Sequence, residues 1–452
     1  MSVSAQEANP GLPIYYVQEG DTLTSIANRF GIAPEDLLAV NSIADPNTVS
    51  VGTALGIPGI EGIQGVLTTQ PVGFGETLRT ISRTYQIPID MLARINHLTS
   101  PSELYAGVNL ILPDQPASTN SAGRGIIASG ESLLELAVLG GTDPWTVASI
   151  NELDGRWAAY PGEALFYPSD TPASSGGTIH PKITDFSFSP LPLVQGETAE
   201  LKLTTVEPVT LTGNLAGNEL HFFSEEANHY VALQGIYAMA NPGLVPLTLT
   251  GTFQDGTTFS FEQMIVLDAG GFATEELLGV DPVTLDPAVT KPENELIQSI
   301  IKNITPVRYW QGPFLVPGYD PNWITSWYGT RRTYNNDPTV YFHTGLDYGG
   351  GTGLEIKSPA AGVVVFANAL TVRGNATIID HGWGVYSGLY HQSEFTVNVG
   401  DRVEAGQVVG LIGATGRVTG AHLHWDVWVN GVQVNPFDWL DNAYPTSAAA
   451  NP

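Results

Sequence analysis

Ala421-His422-Leu423-His424-Trp425-Asp426-Val427-Trp428-Val429 reads as a β-strand with two histidines on one face. Side chains of a strand alternate, so His422 and His424 point one way while Leu423, Trp425 and Val427 point the other. Two imidazoles two residues apart can reach one small site, one as a metal ligand and the other against a substrate. Upstream, His343-Thr-Gly-Leu-Asp347 sets a histidine and a carboxylate four residues apart. On a strand that spacing is again one face, and Thr344-Gly345 allows a bend that turns both side chains to one cation. Of nine histidines in the chain, five (His343, His381, His391, His422, His424) fall in its last quarter. A His, an Asp and a second His converging on one point form a three-ligand zinc set whose fourth position is left to water.

The surroundings are β-rich. Gly362-Val363-Val364-Val365-Phe366 and Ala376-Thr377-Ile378-Ile379-Asp380 read as strands, and residues 385–391 follow, with His391 expected at a strand's end. Each motif alone is weak, since a His-x-His pair on a strand is more often structural. Their joint occurrence in one small Gly-rich β-domain carries the weight. No His-Glu-x-x-His helix and no Gly-x-Ser-x-Gly elbow is present, which excludes a thermolysin-like arrangement and gives no support to a serine hydrolase.

Over about residues 310–440 the chain resembles the M23 metallopeptidases, the lysostaphin and LytM-type peptidoglycan endopeptidases. The resemblance runs through Ile324-Thr325-Ser326-Trp327-Tyr328-Gly329, His343-Thr-Gly-Leu-Asp347 and Ser358-Pro359-Ala360-Ala361-Gly362-Val363-Val364. It continues through Asp380-His381-Gly382, Val399-Gly400-Asp401, Gly406-Gln407 with Gly410, and Gly413-Ala414-Thr415-Gly416. It closes on His422-Leu423-His424 and Asn435-Pro436. It implies a C-terminal antiparallel β peptidase domain with His343, Asp347 and His424 as ligands of Zn2+. His391 and His422 would be the two catalytic histidines beside the metal. One position departs: the family often has Tyr two residues before His391, where this chain has Leu389, with Tyr390 next to it. A tyrosine on the His391 face is then expected to be lost. His381, in an Asp-His-Gly turn, is read as structural.

Residues 15–170 repeat with a period of 55. Gly20, Gly75 and Gly130 each precede an acidic residue, a hydroxyl residue and a leucine: Asp21-Thr22-Leu23, Glu76-Thr77-Leu78 and Glu131-Ser132-Leu133. Asn41, Asn96 and Asn151 keep phase, as do Gly52, Gly107 and Gly162, then Pro58, Pro113 and Pro168. Such phase marks a repeated supersecondary unit. Each unit reads strand, helix, helix, strand, with Thr22, Thr77 and Ser132 as helix N-caps. Leu23, Ile26, Ala27 and Phe30 follow helical spacing, and Pro34-Glu35-Asp36 opens a second helix. The units resemble LysM domains, βααβ modules that bind N-acetylglucosamine-containing glycans. In the third unit Gly140-Gly141 replaces the Phe30/Tyr85 position, so its first helix is expected to break early.

Pro, Gly, Ser and Thr cluster at residues 114–123 and 169–178, as in solvated linkers. Alternation from about residue 182 to 268, for example Ala199-Glu200-Leu201-Lys202-Leu203, predicts a β-sandwich of immunoglobulin-like size, read as a spacer or docking surface. His221, Glu225 and His229 within it have no strand spacing for a shared ligand. A proline-rich stretch, 281–292, then leads into an amphipathic helix at 293–304 with Leu296, Ile297, Ile300, Ile301 and Ile304 as its apolar stripe.

The expected architecture is multidomain and mostly β with α+β modules. LysM-like repeats occupy 13–59, 66–114 and 122–169, the last divergent. An Ig-like β-sandwich spacer follows at 180–270, a linker with one helix at 271–306, and the M23 domain at 307–442. At 452 residues the chain is too long for one core, and its 50 Gly and 32 Pro suit compact β modules. A net charge of −28 argues against duplex nucleic acid or anionic lipid as partner. There is no cysteine, which excludes disulfides, Cys-type zinc sites and a thiol nucleophile. No stretch approaches the roughly 20 apolar residues of a membrane span. Met-Ser-Val-Ser-Ala-Gln-Glu has no signal-peptide features.

The two resemblances together imply an exported zinc endopeptidase, secreted or in the cell envelope. It would cut stem or cross-bridge peptides of peptidoglycan while its repeats hold the glycan. The rival is a non-catalytic LysM/M23 regulator that binds the wall and activates an amidase. Such proteins lack some of the five site residues, and this chain has all five.

Overall fold

The computed structural model describes residues 12–446 except 19, 46–48, 61–62, 86, 101–102, 115–121, 128–131, 152, 154, 156–158, 160–163, 169–179 and 225. The 169–178 linker, most of the 114–123 linker, and Gly130, Glu131, Gly162 and Glu225 therefore lie outside the described residues. The chain is mostly β and divides into two compact units, Met1–Ser187 and Phe188–Pro452.

The 55-residue phase has a structural cause in the first unit. Asn41, Asn96 and Asn151 each end a helix and clamp it to a strand 15 residues on. Asn151 Nδ2 donates to Val147 O (2.8 Å) and Phe166 O (2.7 Å), while its Oδ1 accepts from Phe166 N (2.8 Å). Asn41 makes the same three bonds with Leu37 and Gly56, and Asn96 with Leu92 and Ile111. Only a side-chain amide offers a donor and an acceptor in that fork. Thr22 and Ser132 cap the helices Leu23–Arg29 and Leu133–Leu139, and Thr77 accepts from Thr80 N at the start of Leu78–Tyr85.

Ile14–Tyr16 pairs antiparallel with Ala54–Gly56 and parallel with Val66–Pro71, which pairs antiparallel with Asn109–Pro113. The first two repeats thus share one four-stranded sheet. The third has its own pair, Ala122–Ile126 with Ala164–Pro168. Its first helix does not break early: Leu133–Leu139 has seven residues, as does Leu23–Arg29. Gly140 serves as its C-cap, and the Tyr167 ring occupies the space beside it, 2.5 Å from where a Cβ would lie. An aromatic from the closing strand thereby fills volume that Phe30 fills in the first repeat.

In the second unit, Val209–Leu215, Gly243–Phe253 and Thr258–Asp268 pair antiparallel in sequence, and His229–Gly235 pairs with Thr198–Thr205. This β-rich region is bonded to the C-terminal domain. Arg331 Nη2 donates to Ala238 O (2.6 Å), Trp439 Nε1 to Thr198 Oγ1 (3.0 Å) and Asn430 Nδ2 to Glu219 O (2.7 Å). Phe223 stacks on Trp383 at 4.9 Å.

The C-terminal sheet runs in the order Ile324–Ser326, Leu346–Gly349, His422–Val429, Val385–Phe395, Asn375–Gly382, Gly362–Ala369, Arg402–Val403. Leu423, Trp425 and Val427 enter its main core, as alternation requires. On the opposite face Tyr386, Tyr390 and Trp428 are covered by Ile297 and Ile301 of the helix Pro287–Ile301. That helix starts six residues before the expected 293 and ends at 301. Asp286 caps it with Pro287 in its first turn, which signals a start more strongly than Pro292 signals a stop.

Candidate active site

Leu346–Gly349 and His422–Val429 pair antiparallel with Asp347 opposite His424, which puts both side chains on one face. His343 follows the strand Asp337–Phe342, and the chain bends at Thr344-Gly345 to bring it back over Asp347. A Cβ on Gly345 would lie 2.1 Å from the Trp425 carbonyl oxygen and 2.7 Å from Asp426 Oδ1, so the bend admits no side chain.

Three donor atoms meet there. His343 Nε2 is 3.0 Å from His424 Nδ1 and 3.1 Å from Asp347 Oδ1, and His424 Nδ1 is 2.7 Å from Asp347 Oδ1. All three residues are buried. Lone pairs this close repel unless a cation lies among them, and ligands at about 2.0 Å in a tetrahedral site stand about 3.3 Å apart. The donor set fits a metal ion. Among the described residues it is the one cluster of its kind.

Neighbours fix each ring. His343 Nδ1–H donates to Trp327 O (2.9 Å) and His424 Nε2–H to Asp426 Oδ1 (2.7 Å), leaving both facing nitrogens as acceptors. Burial opposes charge on His424, but the carboxylates of Asp426 and Asp347 outweigh it and raise the ring to about 9. Burial holds His343 below its ordinary value, against the pull of Asp347. Asp347 is well below the usual carboxylate range: burial raises it, and the two imidazoles outweigh that.

His391 and His422 flank the cluster with ring centroids 4.8 Å apart. His391 Nδ1–H donates to Thr415 O (2.8 Å), and burial, with His422 and His424 beside it, lowers the ring to about 3. That bond leaves Nε2 as the ring's acceptor nitrogen. His422 Nδ1 donates to Gly420 O (3.0 Å), and its Nε2 stands 3.7 Å from Asp347 Oδ1. His391 is not at a strand's end. Its strand runs Val385–Phe395, and His391 sits in a bulge with φ 63°. The bulge breaks the alternation that placed residues 389 and 391 on one face. Leu389 is in the core, and Tyr390 stands on the site's face, its ring stacked 5.5 Å from His424. The expected loss of a tyrosine from that face is therefore corrected.

His381 is the penultimate residue of the strand Asn375–Gly382, one residue short of the turn that follows. It is fully buried, and its nitrogens meet Ala361 O (2.8 Å) and Ser387 Oγ (2.9 Å). A cleft of about 1080 Å³ opens over the site. Its walls include Trp323, Arg332, Tyr237 from the β-rich region, and Glu275 from the strand Thr274–Leu277, which pairs with Arg331–Tyr334. The segment from 274 thus lines the cleft, whereas Trp310 and Phe314 from 309–319 go to the core.

Two participants were missed from sequence. Asp426 carried a legible signal, being two residues beyond His424 on the same face. The Trp327 carbonyl carried none, because backbone acceptors leave no mark in side-chain pattern.

A model of Peptidase family M23 matches residues 341–436, and one of the LysM domain matches 15–58 and 72–113. The chain carries an M23 peptidase domain and two LysM domains. The third repeat lies outside the LysM matches. The chain is similar to DD-carboxypeptidase/endopeptidase Mpg of Neisseria meningitidis serogroup B, 42% identical over 98 residues (22% of this chain, 23% of that protein). It is also similar to peptidoglycan DD-endopeptidase ShyA of Vibrio cholerae serotype O1, 37% identical over 117 residues (26% and 27%). The chain spans about a quarter of the length of these curated relatives. A crystal structure of a putative peptidase M23 from Pseudomonas aeruginosa is 24% identical, covering 55% of this chain and 94% of that one at a TM-score of 0.41.

Proposed function

We propose that the chain is an exported zinc metalloendopeptidase of the cell envelope that hydrolyses peptide cross-links of peptidoglycan, held to the wall glycan by its LysM units. The carrying observation is the meeting of His343 Nε2, Asp347 Oδ1 and His424 Nδ1 within 3.1 Å, flanked by His391 and His422. ShyA, named as a peptidoglycan DD-endopeptidase, supports the substrate class, and Mpg, named as a DD-carboxypeptidase/endopeptidase, supports the reaction class. We assign His343, Asp347 and His424 as the metal ligands, and His391 and His422 as catalytic. The third repeat, with the same Asn clamp, is read as a further LysM-type module, and residues 180–270 as an Ig-like sandwich.

Zinc held by these three donors would supply Lewis acidity toward the scissile carbonyl and bring a water toward a pKa of about 7. The protein's own part is orientation and proton transfer. Asp426 and Trp327 O fix the tautomers of the ligand histidines. His391, its Nδ1–H held by Thr415 O, turns Nε2 toward the attacking water as its proton acceptor. His422, more exposed at the cleft, stabilises the developing oxyanion or protonates the leaving amine.

The test compares wild type with His424→Ala and His422→Ala for zinc stoichiometry and muropeptide release from purified sacculi. Stoichiometric zinc lost only in His424→Ala, with release lost in both, is expected. A wild type that binds zinc but releases nothing would favour the amidase-regulator reading instead. No zinc in the wild type would sink the assignment.

A further inference from the structure

We propose that Glu293, from the helix Pro287–Ile301, is a positioning residue of the M23 site that holds His391 through the Val372-Arg373 backbone. It lies outside the residues 341–436 matched by the family model, so that span would be incomplete without the preceding helix. The inference rests on the peptidase reading above for its kinetic consequence, but not for its structural one.

Glu293 is buried at 7% exposure, and its carboxylate is fully engaged by one short loop. It accepts from Val372 N (2.8 Å), Arg373 N (3.1 Å) and Arg373 Nη1 (2.9 Å). The loop's carbonyls then face the site. Arg373 O accepts the His391 N–H (3.0 Å), and Val372 O accepts from Arg417 N (2.8 Å) in the segment that follows Thr415. Thr415 O in turn holds the His391 ring by Nδ1 (2.8 Å). The loop is closed on itself by Leu370 N to Gly374 O (2.8 Å). His391 is thus tied at its backbone amide and at its ring to two segments that Glu293 orders.

His391 needs such a hold. At φ 63° a non-glycine residue sits in a disfavoured region that persists only where its surroundings over-determine it. Helix packing does not explain the carboxylate. Ile297 and Ile301 supply the apolar contact, and burying a charge is costly unless it is hydrogen-bonded as fully as this one. Remove the carboxylate and two backbone N–H groups lose their acceptor, so the loop is free to shift. A displacement of about 1 Å in a catalytic group can cost about a hundredfold in rate.

The experiment uses the full chain loaded with zinc, as wild type, Glu293→Ala, Glu293→Gln and the exposed Glu295→Ala on the same helix. Three quantities are read: zinc stoichiometry, kcat and KM on a soluble cross-linked muropeptide, and NMR of His391 (amide hydrogen exchange and ring tautomer). Glu293→Ala is expected to keep its zinc and lose about a hundredfold in kcat with little change in KM. Its His391 amide should exchange faster, and the Nδ1–H tautomer should cease to dominate. Glu293→Gln, which keeps one acceptor oxygen, should fall between, and Glu295→Ala should match wild type. Unchanged kcat and unchanged His391 exchange in Glu293→Ala would overturn the proposal. If Glu293→Ala fails to fold, a folded Glu293→Gln with wild-type kcat and exchange overturns it equally. Should the wild type cleave nothing, the peptidase reading fails, and the His391 signals alone still decide the positioning role.

Discussion

Asp426→Asn probes the metal centre without touching a donor atom. Asp426 is fully buried, with Oδ1 2.7 Å from His424 Nε2 and Oδ2 2.9 Å from Gln433 Nε2. Asparagine is nearly isosteric. Its one oxygen can still accept from His424, but its amide then meets the Gln433 amide donor to donor. The change turns a charge-assisted bond into a neutral one, and such bonds differ about twofold in strength. Outer-shell partners of metal-bound histidines typically govern affinity by about ten- to a hundredfold, equivalent to about 1.4–2.8 kcal/mol. Zinc affinity should fall by that factor, read by competition with a chromophoric chelator. In the metal-free protein, the His424 ring, raised to about 9 in part by Asp426, should titrate lower. Folded Asp426→Asn with zinc affinity within twofold of wild type would refute the claim that this carboxylate orients and polarises His424.

Other consequences can be checked separately. Gly345→Ala places a Cβ 2.1 Å from the Trp425 carbonyl, so a loss of about 3 kcal/mol in urea unfolding and loss of stoichiometric zinc are expected. Asn151→Ala removes three buried hydrogen bonds of the third repeat. A local loss of about 2–3 kcal/mol should follow, seen as faster exchange of the Phe166 amide while Gly56 and Ile111 are unaffected. His381 is lowered from 6.5 to about 4 by burial, only partly offset by its bond to Ala361 O. Below pH 6.5 the unfolded chain binds a proton that the fold refuses. This histidine's contribution is therefore complete above 6.5 and declines by up to about 3 kcal/mol as pH falls to 4. The wild-type minus His381→Gln difference in stability should show that slope, and a flat difference would count against it.

Much of the site was legible in the chain because strand alternation and the His-x-His and His-x-x-x-Asp spacings are local facts. The strand 422–429 needs only its period of two to set His422, His424 and Asp426 on one face. The 55-residue repeat was equally plain, and its Asn positions now have a physical reason in the helix-to-strand clamp. Gly140-Gly141 misled, because the residue that compensates, Tyr167, stands 27 positions further along. Helix limits near Pro292 misled as well, where an Asp-Pro cap upstream outweighed an internal proline.

By itself, then, the sequence determined which side chains could act and on which faces of their strands they lie. It could not determine where His391 points, since a bulge with φ 63° overrides alternation and is held by carbonyls of Arg373 and Thr415. Nor could it say that Asp347 stands opposite His424, or that Glu293 from a preceding helix reaches the loop behind the site. Register, bulges and buried hydrogen bonds between distant segments depend on how strands pair and pack. Those choices are made only when the whole domain closes its core.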